Sequence, residues 1–122
     1  MENIIEKYKD KLPKSYLDFV AKGEGFSDYI DDEFGYVDIY ELSLLEEVFD
    51  LICENHDNIG KDYFPIGSNG GLENIVIKLT SPKKELYFIE KISTSDENAE
   101  FFCESFDKLR NAIEEYKKHQ NT

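Results

Sequence analysis

The pattern of apolar and polar residues is most regular between residues 63 and 92 of this chain. Apolar side chains occupy every second position there in two short runs, Ile75/Ile77/Leu79 and Leu86/Phe88. A period of two places alternate side chains on one face of a strand, and the polar, proline-containing break at 80–84 is typical of a hairpin connection. The pattern therefore predicts an antiparallel hairpin at the centre of the fold.

A second alternating stretch, GYVDIY at 35–40, predicts another strand. Its apolar positions are Val37 and Ile39, and its other face carries Tyr36, Asp38 and Tyr40. The preceding residues, FSDYIDDEF at 26–34, mix aromatic and acidic side chains without a clear period. We interpret them as a loop.

Helical spacing predicts most of the remaining elements. Apolar residues recur at intervals of three and four in segments that are predicted to be helices, over about 2–11, 13–23, 43–55 and 105–117. Ser43 and Glu46 have the spacing of a capping box, and Ser105 is a candidate N-cap. The segment GSNGG at 67–71 indicates a turn, because its glycines and Asn69 accept positive φ. Residues 101–103 predict a last short strand.

These elements predict an α+β fold in a single domain over residues 1–122. A mainly antiparallel sheet would be packed by N-terminal, central and C-terminal helices. One apolar face of the sheet would be covered by the helices at 43–55 and 105–117. That face is predicted to consist of Val37, Ile39, Ile75, Ile77, Leu79, Leu86 and Phe88.

Charge adds the first functional information. The chain has a formal net charge of −13, which argues against nucleic acid or an anionic membrane as a direct partner. Residues 1–60 contain sixteen Asp and Glu against five Lys, whereas residues 61–122 contain eleven against nine Lys and Arg. Between Gly23 and Gly60 there are twelve acids and no Lys or Arg. We refer to 23–60 as the basic-free window.

Carboxylates and tyrosines in this window are a candidate contact surface for a basic protein. Tyr offers rigid amphipathic area, and carboxylates accept hydrogen bonds from Arg and Lys. Two simpler interpretations stay open: the acids form a solvated face that keeps the protein soluble, and strand tyrosines reflect β propensity. The predicted contact residues are Glu24, Asp28, Asp31, Asp32, Glu33, Tyr36, Asp38 and Tyr40.

The sequence offers little catalytic chemistry. It has no Gly-x-Ser-x-Gly elbow and no phosphate loop ending in Lys-Ser/Thr, so we expect no catalytic residue and no cofactor. Cys53-x-x-His56 could supply two zinc ligands, but no second pair completes a tetrahedral set, so no metal is expected. Cys53 and Cys103 are predicted to be free, buried thiols. With no apolar run of signal-peptide length at the N-terminus, we expect a cytoplasmic protein without a membrane span.

The order of several short motifs resembles the Smi1/Knr4 (SUKH) superfamily. The motifs are Leu12-Pro13-x-x-Tyr16-x-x-Phe19, glycines at 23 and 25, Phe64-Pro65-Ile66-Gly67-x-x-Gly70-Gly71, a strand hairpin, and Ser105-Phe106-x-x-Leu109. The resemblance extends from about Leu12 to Ile113. Family members often have Asn-Gly-Gly where this chain has Gly23-Glu24-Gly25, and Asp where it has Asn69.

The resemblance implies a SUKH-like domain and, for bacterial members, an immunity protein that neutralises a cognate toxin of a polymorphic toxin system. Such toxins are often nucleases, and an acidic inhibitor would be steered to the basic substrate channel of a nuclease. The sequence leaves an alternative open, a regulatory or scaffolding module that binds an endogenous protein. A small hydrolase is a more distant third.

Overall fold

Six strands pair in chain order to form one antiparallel sheet. The structure, a computed structural model, describes residues 4–23, 25–54, 59–91 and 99–120. The strands are β1 (Phe26–Tyr29), β2 (Tyr36–Ile39), β3 (Tyr63–Ser68), β4 (Glu73–Lys78), β5 (Leu86–Glu90) and β6 (Glu100–Cys103). The helices are α1 (Ile4–Tyr8), α2 (Lys14–Ala21), α3 (Leu42–Glu54) and α4 (Phe106–Gln120). The predicted α+β class is confirmed.

The predicted central hairpin is formed by β4 and β5. Ile75 lies opposite Phe88 and Ile77 opposite Leu86, so the two alternating runs share one face of the sheet. All seven residues of the predicted apolar face belong to the main core. Val37, Ile39, Ile75, Ile77, Leu79 and Leu86 are buried in it, and half-buried Phe88 packs against it.

Helices cover this face from several directions. The buried residues that they contribute are Tyr8 from α1, Tyr16, Phe19 and Val20 from α2, Leu45 and Phe49 from α3, and Phe106, Leu109 and Ile113 from α4. The ring of Tyr16 meets Phe64 and Phe106 edge-on, with centroid distances of 5.9 and 5.1 Å. Burying a large apolar side chain contributes roughly 1.5–3 kcal/mol, so these stripes are the main stabilising feature of the fold.

The opposite face of the sheet carries a smaller apolar cluster that the sequence analysis did not predict. Its buried members are Ile59, Tyr63, Val76 and Ile89. Because β4 is buried on both faces at its centre, its sequence ENIVIK is apolar at consecutive positions as well as alternating ones. Alternation alone therefore indicated only one of the two covered faces.

Gly67 allows β2 and β3 to lie close together. A Cβ added at Gly67 would lie 1.9 Å from the carbonyl oxygen of Asp38. The register between β3 and β4 also shifts between Pro65 and Gly67. Gly67 therefore permits the close contact that keeps β2 in the sheet.

Two local predictions are wrong. Residues 26–34 do not form only a loop, since Phe26–Tyr29 is β1, paired along its length with β2. The Ser43/Glu46 capping box is absent because α3 already begins at Leu42. The Ser43 hydroxyl instead donates to the Glu41 carboxylate at 3.0 Å. The predicted cap at Ser105 is confirmed, since its hydroxyl accepts the Lys108 N–H at 3.2 Å.

The sheet is curled, so the turn between β1 and β2 reaches the far edge strand. The ring of Phe34 in that turn meets Phe102 of β6 at a centroid distance of 6.0 Å. Phe102 in turn lies 4.5 Å from Phe88 of β5. The curl leaves the outward side of β1 and β2, with its tyrosines, facing solvent.

Candidate protein-binding surface

The turn between β1 and β2 is organised by one carboxylate. Asp31 Oδ1 accepts the backbone N–H groups of Glu33 and Phe34, both at 2.9 Å. The turn is closed by the Ile30 N–H, which donates to the Gly35 carbonyl at 3.0 Å. Asp31 therefore holds the turn in shape, whereas Asp32 and Glu33 project from it.

Asp32 and Glu33 supply the accessible charge of this turn. Both residues are exposed. Asp32 Oδ1 accepts a hydrogen bond from the Tyr29 hydroxyl at 2.5 Å, and this bond raises the pKa of Tyr29. Glu33 Oε1 lies 4.0 Å from Lys108 Nζ in an exposed ion pair. Such a pair contributes little to the stability of the fold. Both carboxylates remain accessible to a partner.

Two tyrosines lie side by side on the outward face. Tyr29 is directly opposite Tyr36 across the β1–β2 pair, and their exposed fractions are 49% and 41%. The Tyr36 hydroxyl lies 2.5 Å from the Ser27 hydroxyl. Its ring lies against Gly70, where an added Cβ would come within 2.5 Å of it. Tyr36 is thus held in place while its outer side stays in solvent.

Asp28 has a different role from the other predicted acids. Its carboxylate accepts hydrogen bonds from the Tyr116 hydroxyl of α4 and from the Tyr29 N–H. These bonds lower the pKa of Asp28, the Tyr116 bond most. The Phe26 ring also meets the Tyr116 ring edge-on at 5.5 Å. Asp28 therefore fastens the hairpin to α4, and its pairing with Val37 places it on the face of the hairpin opposite to the side chains of Tyr29 and Tyr36.

Asp38 and Tyr40 are half-buried toward the centre of the sheet. Burial raises the pKa of Asp38, and the nearby charge of Lys91 opposes that rise. Burial likewise raises the pKa of Tyr40, whose hydroxyl is hydrogen-bonded to the Ser68 side chain. Asp38 can add to the negative potential of the surface, but Tyr40 offers a partner less area than Tyr36.

The structure thus brings together part of the predicted contact set. Asp32, Glu33 and Tyr36 lie at one end of the β1–β2 hairpin, with Asp38 further along β2. Asp28 and Asp31 are engaged in bonds that shape the hairpin, and Glu24 lies outside the described residues. Tyr29 belongs to the surface although the prediction omitted it. We define the hairpin surface as Tyr29, Asp32, Glu33, Tyr36 and Asp38.

Cysteine thiols and possible metal ligands are among the reactive groups in the part of the chain that the structure describes. No group of three or more His, Cys, Asp and Glu there could hold a metal ion. Of the Cys53/His56 pair, which the sequence analysis considered as zinc ligands without expecting a metal, His56 lies outside the described residues. Both cysteines are free thiols; Cys103 is buried and Cys53 half-buried. Burial raises the pKa of Cys53 to about 11, which makes its thiol a poor nucleophile at neutral pH.

Comparisons with known proteins leave the chemistry of the surface as the main guide to function. No protein-family model and no curated protein matches this chain. None of the helices in the described ranges combines the length and the apolar character needed to cross a bilayer.

Proposed function

We propose that this chain is a cytoplasmic immunity protein of the SUKH type that binds and neutralises a basic toxin domain, such as a nuclease. The observation that carries the proposal is the hairpin surface itself. It places two exposed tyrosines on paired strands at one end of the sheet, with the Asp32 carboxylate bonded to Tyr29 and the exposed Glu33 next to Asp32 in the same turn. Tyrosines with an acidic margin suit a partner whose surface is rich in Arg and Lys.

Physical features of the surface support binding rather than catalysis. Tyr29 and Tyr36 lie on paired strands, and hydrogen bonds to neighbouring side chains restrict both hydroxyls. A side chain that is ordered before binding loses less entropy when a partner covers it. The acids have a separate role, because clustered negative charge accelerates encounter with a positive partner.

The overall charge distribution and the order of motifs also support an immunity protein that binds a basic toxin. The hairpin surface lies within the basic-free window, although Lys108 and Lys91 from later in the chain approach Glu33 and Asp38. The motif order that resembles the SUKH superfamily is compatible with the observed α+β architecture. A toxin of this kind would act inside the cell, which is why we place its inhibitor in the cytoplasm.

Co-expression tests the proposal. The proposal predicts that an adjoining gene encodes a toxin domain, which should arrest growth when expressed alone, and that this chain should restore growth. The double variant Asp32→Lys/Glu33→Lys should protect poorly. Glu46→Lys/Glu47→Lys on α3 makes the same change in charge at two exposed residues and should still protect.

Two results would count against the proposal. One is a wild-type chain that fails to restore growth although it is expressed and folded. The other is full protection by the Asp32/Glu33 variant, which would mean that the toxin docks elsewhere. Protection against no toxin combined with stable binding to an endogenous basic protein would favour a regulatory module instead.

A further inference from the structure

The turn between β3 and β4 holds a leucine in solvent. Leu72 is 74% exposed, more than Leu51 on α3 at 62%. A single exposed leucine is common on protein surfaces and needs no explanation by itself. Its surroundings make Leu72 different.

The turn that carries Leu72 is fixed by several hydrogen bonds. Asn69 Oδ1 accepts the N–H groups of Gly71 at 3.0 Å and Glu73 at 3.3 Å, and its Nδ2 donates to the Glu73 carboxylate at 3.0 Å. The Leu72 carbonyl accepts the Lys91 N–H at 2.8 Å, which ties the turn to the end of β5. A turn held this way presents its exposed side chain from an ordered backbone.

The turn lies at the same end of the sheet as the hairpin surface. The register of β2 with β3 pairs Asp38 with Ser68, so the chain after Ser68 runs alongside the start of β2. Gly70 accordingly contacts the ring of Tyr36, which is itself opposite Tyr29. The turn that bears Leu72 therefore adjoins Tyr36, and Tyr36 adjoins Tyr29.

Charged residues of both signs lie near this apolar group, since Lys91 adjoins Leu72 through its backbone and acids lie in the neighbouring turn. Asp32 and Glu33 project from the neighbouring turn. Glu73 and Glu90, which lie directly opposite each other in the β4–β5 pair, belong to the face of the sheet that carries Ile75 and Phe88, opposite to the face of the tyrosines. Apolar side chains inside a charged margin have the layout of a protein interface.

We propose that Leu72 is the apolar anchor of the toxin-binding surface, and that it enters an apolar pocket bordered by Lys or Arg side chains on the partner. This inference rests on the proposed function and adds a division of roles to it. The carboxylates govern how fast the partner arrives, and Leu72 governs how slowly it leaves. Tyr29 and Tyr36 extend the apolar contact on one side.

Binding kinetics test this division, with the toxin domain of the adjoining gene, inactivated at its catalytic residue, as the probe. Leu72→Ala should speed dissociation about tenfold and leave the association rate nearly unchanged, in line with the energies of interface anchors. Leu51→Ala is the matched control, because it removes another highly exposed leucine, which lies on α3. Thermal unfolding of both variants should equal that of the wild type, since neither side chain is buried.

The outcomes separate this inference from the proposed function. A wild-type chain that does not bind the probe overturns both. Wild-type binding with unchanged dissociation of Leu72→Ala overturns the anchor alone and leaves the proposed function intact. If the free chain dimerises in sedimentation and Leu72→Asp abolishes the dimer, the occupant is a second copy of this chain and the inference is wrong.

Discussion

Asp31 and Asp32 are neighbours of the same residue type with different roles. Asp31 accepts two backbone N–H groups inside the turn, whereas Asp32 is exposed and bonded to the Tyr29 hydroxyl. Sequence alone assigned both to one contact surface, because composition and charge do not reveal which carboxylate the backbone uses. Any test of the acidic surface must therefore spare Asp31.

Substitutions at the two positions should separate these roles. Asp31→Ala should lower the free energy of unfolding by about 1 kcal/mol, because two backbone donors lose their acceptor. Asp31→Asn keeps a side-chain oxygen, so its free energy of unfolding should fall less than that of Asp31→Ala. Asp32→Ala should change the stability little. Urea denaturation measures all three. Equal stability of Asp31→Ala and the wild type would show that the turn does not depend on this carboxylate.

Asp38 should make stability depend on pH in a direction opposite to that of most carboxylates. Burial raises its pKa in the folded state, so the folded protein binds this proton more readily than the unfolded chain does. Stability from this group is therefore lost as pH rises from the ordinary value near 4 through the raised pKa.

The variant Asp38→Asn should not lose stability in this way as the pH rises, because its side chain does not ionise. It should be more stable than the wild type at pH 7, and its advantage should shrink as the pH is lowered toward about 4. Chemical denaturation at several pH values measures the difference. A variant less stable than the wild type at pH 7 would show that attraction to Lys91 outweighs the cost of burying the charge.

At the scale of elements, the β1–β2 hairpin is positioned by contacts at both of its ends. Phe26 and Asp28 contact Tyr116 of α4, and Phe34 contacts Phe102 of β6. The hairpin surface is thus carried by a strand pair that the rest of the molecule holds in place. This arrangement follows from the curl of the sheet, which no local pattern in the sequence expresses.

Removal of the Phe34 ring should loosen this end of the hairpin. Phe34→Ala should lower the free energy of unfolding by about 2 kcal/mol. This is less than for the loss of a fully buried phenylalanine ring, because the Phe34 ring is half-buried. Hydrogen exchange should accelerate at the Ile30 and Gly35 amides. Phe101→Ala, at the exposed neighbouring position of β6, should have a smaller effect on these amides. Similar exchange in both variants would rule out Phe34 as the contact that closes the hairpin.

How far the sequence predicts the elements depends on what defines each of them. The strands β2, β4 and β5 were predicted because each packs alternate residues against the main core, which imposes alternation. β1 was missed because only Phe26 of its four residues is buried, so pairing with β2 and not burial defines it. Leu72 was missed because a leucine in a turn gives no signal of its exposure.

At the scale of the whole molecule, the distribution of charge is as informative as the fold. The net charge of −13 arises mostly in the first half of the chain. Clustered like charges repel one another and disfavour the compact state, and a partner of opposite sign offsets that repulsion. Solubility alone would be served by acids spread along the chain. The hairpin surface concentrates part of this charge beside exposed tyrosines.

The most direct measurement is the association rate with the inactivated toxin domain at two salt concentrations. At about 0.01 M salt, where charges interact over roughly 30 Å, the wild type should associate fast, and at about 1 M salt much more slowly. Asp32→Lys/Glu33→Lys should associate about tenfold more slowly at low salt and lose most of its salt dependence, whereas Glu46→Lys/Glu47→Lys should retain it. An unchanged rate and salt dependence in the Asp32/Glu33 variant would show that these acids form a solvated face and that binding occurs elsewhere.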